Sequence, residues 1–268
     1  MNVKEQAIGA AQAVVDGWMA LMPRRRPDRA AIKRCRIVAH RGAHRGQDIP
    51  ENTFEAFERA CAAGVWGIET DIRWTRDRVP VIIHDPDAER VFGKPIKMAD
   101  VTFSELREAV PQILSLAELV SHFGGKTHLM LELKDEPFPE LELQRQILAD
   151  HLAPLTPGTD YHFVALDPVL FDIFAIQPRS CCLPVGFENM ASLSRASLGT
   201  GLGGITGHYV LLGSAMQKRH EQAGEKVGTG FVRSRNSLWR EINRNVEWVF
   251  TNHAVDVQGF LDVLKRET

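Results

Sequence analysis

The sequence has no run of 18 or more apolar residues, so no segment has the length and composition of a bilayer-spanning helix. A disulfide framework is also missing. There are four cysteines, Cys35, Cys61, Cys181 and Cys182, two of them adjacent and none in a C-x-x-C spacing. That usage suits buried free thiols in a reducing compartment, and a cytoplasmic location is expected. No excess of basic charge exists either. The net charge is −2, which argues against a nucleic-acid partner, because wrapping nucleic acid takes a basic stripe. Repeats of fixed period and low-complexity tracts are absent.

What is present is enough for one large core: 268 residues, 44% of them apolar. A single α/β barrel of about 250 residues fits that length. Ile8, Ala11, Val15, Trp18 and Met22 recur at helical spacing, and Arg24, Arg25 and Arg26 follow them. A secretory signal places its positive charges before the apolar stretch. Here they come after it, and Asp16 interrupts it. Residues 1–35 are therefore expected to form a helical extension that packs on the exterior or closes the bottom of a domain over 36–268. The alternative is an amphipathic helix in weak contact with an anionic membrane surface.

Apolar runs and helical stretches alternate through most of the chain, the pattern of a parallel sheet wrapped in helices. Strands are expected at Arg36–His40, Gly67–Arg73, Leu129–Lys134, His162–Leu166, Cys181–Val185, Ile205–Val210, Val227–Val232 and Trp248–Thr251. That makes eight, as a TIM (β/α)8 barrel requires. Pro80–His84 also reads as a strand, but only Trp74 to Val79 separate it from its predecessor. A parallel crossover needs about a dozen residues, so this run should return as the antiparallel arm of a β-hairpin. Its end would bring His84 beside Glu69 and Asp71. The stretch of about 85–111 reads as a polar, irregular insertion above the barrel.

Function in such a barrel gathers at the C-terminal strand ends. Glu69 and Asp71 lie two apart, so they share a face. Glu132 and Lys134 repeat that spacing on the neighbouring barrel strand, and His40-Arg41-Gly42 ends the first strand. Ionisable groups at period two in apolar strands are costly unless paired or coordinating. Two unit charges about 4 Å apart repel by roughly 4 kcal/mol at an effective dielectric near 20. Arg41 and Lys134 offset part of this; a divalent cation would do so better. Three oxygen ligands, Glu69, Asp71 and Glu132, favour a hard ion, Mg²⁺ or Ca²⁺. If His40 or His84 also ligated, Zn²⁺ or Mn²⁺ would become plausible. Two histidines beside a metal, an arginine and a lysine suit acid–base chemistry on an anionic substrate, and the set fits phosphodiester cleavage.

With these residues the sequence resembles the glycerophosphodiester phosphodiesterase family. The motifs are His40-Arg41-Gly42, Pro50-Glu51-Asn52-Thr53, Glu69-x-Asp71, Thr75-x-Asp77, Pro80-Val81-x-x-His84-Asp85 and Glu132-x-Lys134, in family order across roughly 37–134. The second half matches more weakly, through Thr251-Asn252 and the spacing of elements. The resemblance implies a TIM barrel with a short insertion and a divalent metal on Glu69, Asp71 and Glu132. It implies His40 and His84 as the acid–base pair, with Arg41 and Lys134 on the phosphoryl oxygens and Glu51 and Asn52 in support. It also implies attack on phosphorus by the substrate's own glycerol hydroxyl, then hydrolysis of the cyclic phosphate to glycerol 3-phosphate and an alcohol. Two departures stand out. The family's Trp-Thr-Val-Asn run is Phe231-Val232-Arg233-Ser234 here, and its Thr-Asp strand end is Thr251-Asn252.

Phe231, Arg233, His208 and Trp74 are candidates for contact with a small-molecule glycerophosphodiester substrate. His44 reads as a solvated loop histidine, and the Gly199–Gly204 run as a loop, because no strand directly precedes it. Two other functions remain open. A lysophospholipase D would act on lipid-bearing diesters with the same residues, and an apolar groove leading to the metal would favour it. A catalytically silent phosphodiester-binding barrel should lack a histidine or a metal ligand, and none is lacking. The sequence leaves the headgroup, the native metal, the division of acid and base roles and the oligomeric state open.

Overall fold

A computed structural model describes residues 15–267. Eight parallel strands close into a barrel: β1 (Arg36–His40), β2 (Gly67–Trp74), β4 (His128–Leu133), β5 (Tyr161–Ala165), β6 (Cys182–Gly186), β7 (Gly204–His208), β8 (Lys226–Gly230) and β9 (Trp248–Thr251). β1 pairs with β9 on one side and with β2 on the other, which completes the ring. The ninth strand, β3 (Pro80–Ile82), hangs on β2 in antiparallel register, Ile72 opposite Ile82 and Trp74 opposite Pro80. As a short outer arm it tolerates a proline. Its tight turn uses Arg78 at φ 63°, with the Thr75 hydroxyl donating to Asp77 at 2.6 Å.

Strand alternation sorts the side chains. On β4, Leu129, Leu131 and Leu133 join the layer between strands and helices, while Met130 joins Val38, Val164, Leu183, Trp248 and Phe250 inside the barrel. The barrel bottom is closed by aromatic and imidazole rings. His128 stacks on Trp66 with centroids 4.1 Å apart, and His162 meets Trp248 edge-on at 5.2 Å. Arg36 and Lys226 cover the two indoles from below at 4.8 Å and 5.5 Å. The helices are capped locally. Thr53 caps Phe54–Ala62, and capping boxes start Leu116–Phe123 (Ser115 with Glu118) and Phe103–Ala109 (Thr102 with Glu105).

Three expectations need correction. The 85–111 stretch is not irregular: it holds helices Glu89–Phe92 and Phe103–Ala109 and a 3-10 turn, around a small core of Val81, Ile83, Ala88, Met98, Leu106 and Val110. Its sequence signal was the capping box Thr102-x-x-Glu105. The β8 strand ends at Gly230, because Phe231 takes φ 69°. Of the N-terminal face, Ile8 and Ala11 lie outside the described residues. Residues 15–21 are helical, yet Met19 is the buried side chain and Trp18 is 58% exposed. The segment runs along the outside of helix Arg235–Asn243, tied by Asn236 to the Ala20 carbonyl and by Asn243 to the Arg25 carbonyl. That line of contact selects Val15 and Met19, four residues apart, and leaves Trp18 off it.

Candidate active site

The β2 alternation points Ile68, Thr70, Ile72 and Trp74 at the surrounding helices and Glu69 and Asp71 at the barrel axis. β4 lies beside it in parallel, Asp71 opposite Glu132. The two strands therefore put three carboxylates together, and one oxygen from each of Glu69, Asp71 and Glu132 lies within 4.8 Å of the others. Glu69 and Asp71 are buried, at 2% and 0% exposure. Lys134, just past the end of β4, donates to Glu132 at 2.5 Å and lies 2.7 Å from Asp71 Oδ1. That ammonium is the partner of this buried oxygen.

Each carboxylate feels its setting differently. Burial, then the charge of Asp71, pushes Glu69 up to about 8 and Glu132 up to about 7. Burial also works against the charge of Asp71, but Lys134 and Arg41 outweigh it and hold that carboxyl below its usual range. Two carboxylates that resist ionisation thus converge with Asp71 on a single point. The donor set, all hard oxygen, fits a divalent cation there.

The β1 end is fixed by backbone geometry. Arg41 sits at φ 56°, which aims its backbone N–H at Glu69 (3.0 Å). Its guanidinium donates to Glu51 at 2.9 Å and lies 3.5 Å from Asp71. Gly42 follows at φ +81°, and a Cβ there would meet Ala56 backbone at 2.9 Å, so the motif requires glycine. Asn52, also left-handed at φ 58°, donates its side-chain amide to Asp71 at 2.8 Å and accepts from Thr70 at 2.8 Å. Asn52 thus orients one carboxylate, and Glu51 holds the arginine.

Both histidines are anchored through Nδ1. His40 Nδ1 meets Asn252 Oδ1 at 2.5 Å, and His84 Nδ1 meets Asp85 Oδ1 at 2.7 Å. Because an amide or carboxylate oxygen only accepts, each Nδ1 carries the proton and each Nε2 is left for the cleft. His40 Nε2 is 3.8 Å from Glu69. The hairpin brings in His84: Ile83 N–H donates to the Asp71 carbonyl at 3.1 Å, and Arg73 donates to the His84 carbonyl at 2.7 Å. Both imidazoles titrate below the usual range, first through burial. Arg41 adds to this at His40, and Lys134 and Arg41 add to it at His84.

His40, Arg41, Glu69, His84, Glu132 and Lys134 line a cavity of ≈ 180 Å³, and Phe231, edge-on to His40 at 5.4 Å, and His208 line it too. Arg233 and Trp74 do not line it. The left-handed Phe231 breaks the alternation that would have turned Arg233 inward. Arg233 is exposed over a separate hollow with His253 and Asp256. Trp74 is on the outward parity of β2 and stacks on Phe174 at 6.4 Å. His44 is half-buried beside Asn252 and His253 in an adjoining polar hollow. Arg90, which ties Glu51 to Asp85, went unread because only the folded insertion brings it back. A Ser194–His220–Glu225 relay, at 2.8 Å and 2.6 Å, has the residue types of a nucleophilic triad. It lies between helices Met190–Ser197 and Ser214–Gln222, with Ser194 and His220 at 0% exposure, so no substrate reaches it.

The structure thus defines a TIM barrel whose C-terminal strand ends gather a carboxylate cluster and two Nδ1-anchored histidines. The glycerophosphoryl diester phosphodiesterase family model matches residues 40–170, just under half of the chain, and curated relatives of the same name match within it. Glycerophosphodiester phosphodiesterase 1 of Mus musculus is 37% identical over 43% of this chain and 33% of its own length. A glycerophosphodiester phosphodiesterase of Caldanaerobacter subterraneus is 38% identical over 37% of this chain and 44% of its own. The chain thus matches less than half the length of these relatives. An Oleispira antarctica phosphodiesterase, solved with the product sn-glycerol-3-phosphate, superposes with TM-score 0.71 at 21% identity, covering 85% of this chain and 96% of that one. A glycerophosphodiester phosphodiesterase of Thermotoga maritima gives 0.69 at 22% identity, covering 85% and 97%. At those identities the superpositions bear on the fold.

Proposed function

We propose that this chain is a divalent-metal-dependent phosphodiesterase that hydrolyses glycerophosphodiesters to sn-glycerol 3-phosphate and an alcohol. The observation that carries the reading is the convergence of three carboxylate oxygens within 4.8 Å, two of them from buried residues, flanked by two histidines with tethered Nδ1 atoms. Glu69, Asp71 and Glu132 would hold Mg²⁺ or Ca²⁺. When bound, the cation supplies positive charge and Lewis acidity to a phosphoryl oxygen. Arg41 and Lys134 turn from their carboxylate partners toward the other phosphoryl oxygens. One histidine accepts the proton of the attacking hydroxyl at Nε2, and the other protonates the departing alkoxide. Asn252 and Asp85 keep both rings in the tautomer this needs. Each acid–base step is worth about 10²–10⁴-fold; preorganised charge provides the larger remainder. The name of the Oleispira relative's bound product, sn-glycerol-3-phosphate, agrees with this substrate class.

The test is release of glycerol 3-phosphate from a panel of glycerophosphodiesters, with and without chelator. Turnover that stops on chelation and returns with Mg²⁺ or Ca²⁺ is expected. Full turnover after exhaustive chelation, with no metal by elemental analysis, would overturn the metal assignment. No turnover of any diester with metal supplied would overturn the activity.

A further inference from the structure

A line of side chains runs from the N-terminal segment to the cavity. Asp16, in the helical stretch 15–21, accepts a hydrogen bond from the Tyr209 hydroxyl at 2.5 Å. Tyr209 directly follows β7 and is fully buried. Burial, then this hydrogen bond, holds its phenol above the usual range, so the hydroxyl keeps its proton and donates. Arg240 donates to the Tyr209 carbonyl at 3.0 Å. The Tyr209 ring stacks on His208, with centroids 4.9 Å apart and planes 26° apart. His208 also meets Phe231 at 5.9 Å, and Phe231 stands edge-on to His40 at 5.4 Å. His208 is thereby packed against two rings, one tied to the N-terminal segment and the other touching His40.

His208 differs from the other two histidines of the cavity. The Val210 N–H donates to His208 Nδ1 at 3.2 Å. A backbone N–H only donates, so Nδ1 is the bare nitrogen and the neutral ring carries its proton at Nε2. His40 and His84 carry theirs at Nδ1. Burial keeps His208 below the usual histidine range, against the pull of the Asp16 charge, so near neutral pH the ring is an uncharged donor. β7 is four strands from β2 in either direction round the ring, which puts His208 on the side of the cavity away from Glu69 and Asp71. Between β5 and β9 the lining is mostly an apolar wall that includes Val164, Leu166, Val185 and Phe250, and Thr206 is its other polar side chain. A donor with so few competitors orients any oxygen that comes within its reach.

We propose that Asp16 is a positioning residue of this site: through Tyr209 it holds His208 as an Nε2–H donor to an uncharged oxygen of the bound substrate. The proposal rests on the hydrolase reading above and extends it to the N-terminal segment. The phosphoryl oxygens are drawn to Arg41 and Lys134, so a neutral donor on the far side serves an oxygen that carries no charge. That contact lies away from the reacting bonds and is the same in the bound substrate and the transition state. It therefore acts on KM and leaves kcat nearly alone. Asp16, His208 and Tyr209 all fall outside residues 40–170, the span the family model matches, whereas Glu69, Asp71, Glu132 and both Nδ1-anchored histidines fall within it.

The experiment uses the full chain and takes two readings. The first is the nitrogen chemical shifts of the His208 imidazole, which report the tautomer without turnover. Wild type should show the Nε2–H form. Asp16→Ala leaves the buried Tyr209 hydroxyl without its acceptor and should give a mixture of tautomers. Tyr209→Phe, which keeps the ring and removes the tether, should do the same. Asp16→Asn retains an acceptor oxygen and should restore the wild-type form. The second reading is steady-state kinetics with Mg²⁺ and glycerophosphoglycerol as the probe. Asp16→Ala should raise KM by roughly 3–10-fold, the worth of one neutral hydrogen bond, and change kcat by less than about twofold. His208→Phe should raise KM by a similar factor, and Asp16→Ala added to it should have no further effect. A wild-type tautomer and KM in both Asp16→Ala and Tyr209→Phe would overturn the proposal. So would full additivity with His208→Phe, an Asp16→Asn chain as impaired as Asp16→Ala, or a loss confined to kcat. Absence of turnover in the wild type would count against the hydrolase reading alone, and the tautomers would still decide the tether.

Discussion

β4 and β5 are neighbours in one barrel, and they differ where it matters. From bottom to top, the interior alternation of β4 reads His128, Met130, Glu132, and that of β5 reads His162, Val164 and then Leu166 just beyond the strand. Both start on an imidazole and pass through an apolar middle. At the top, one half of the barrel turns acidic and the other stays apolar. The fold needs only the lower positions: a plug at the bottom and packed aliphatics above it. At the top, the β1–β4 half carries the carboxylates, and Val164, Leu166, Val185 and Phe250 of the other half are apolar. The family match over 40–170 takes in the charged half and β5, the first strand of the apolar half.

The largest effect expected on this contrast comes from the charged half. His40→Ala and His84→Ala should each lower kcat by about 10²–10⁴, with the thermal midpoint nearly unchanged. Their losses should combine to less than the product, because the two act on one reaction coordinate. Wild-type turnover in His84→Ala would show that the hairpin arm takes no part in the chemistry.

Gly42→Ala attacks the same half through its backbone. The new methyl would press on Ala56 at a left-handed position, and a loss of about 1–3 kcal/mol is expected, readable by urea titration. A neutral result would mean that the loop relaxes freely.

The barrel bottom provides a test in which both halves share one device. His128 Nδ1 donates to the Thr159 carbonyl at 2.8 Å, so its Nε2 accepts from His162 Nδ1 at 2.7 Å. Burial, ahead of nearby cations, lowers His128 to about 4; burial and then His128 lower His162 to about 3. Above the ordinary histidine value near 6.5, both the folded and unfolded chains leave these rings neutral, and no pH dependence arises from them. As pH falls below it, the unfolded chain binds protons that the folded chain refuses. Stability should therefore drop between roughly pH 6.5 and 4, by up to about 1.4 kcal/mol per pH unit for each ring. Chemical denaturation across that window measures it, and His162→Gln should remove about half of the slope. An unchanged slope in that variant would assign the acid sensitivity elsewhere.

The smallest effect concerns Arg233. It points away from the cavity, so Arg233→Ala should change kcat/KM by less than about twofold for neutral and cationic headgroups alike. A selective loss with one headgroup would place the guanidinium over the cleft after all.

The candidate site was legible in the first half because charged residues at period two inside apolar strands have no cheap structural use. Glu69, Asp71, Glu132 and Lys134 announce themselves that way. The hairpin was legible because six residues cannot make a parallel crossover. The apolar wall was not legible, since Val164, Val185 and Phe250 in a strand read the same whether they face core or cavity. Arg90 was missed as a brace because its partners, Glu51 and Asp85, meet it only after the insertion folds.

By itself, the sequence determined the eight-strand count, the parity of each strand and hence which side chains share a face, because side-chain alternation is a local property of the backbone. Tertiary structure decided whether a face looks onto packed core or onto an open cavity. It also decided where alternation stops: at Phe231 the chain turns left-handed, and Arg233 goes out to solvent. Those outcomes depend on what lies across the barrel, and no local pattern encodes that.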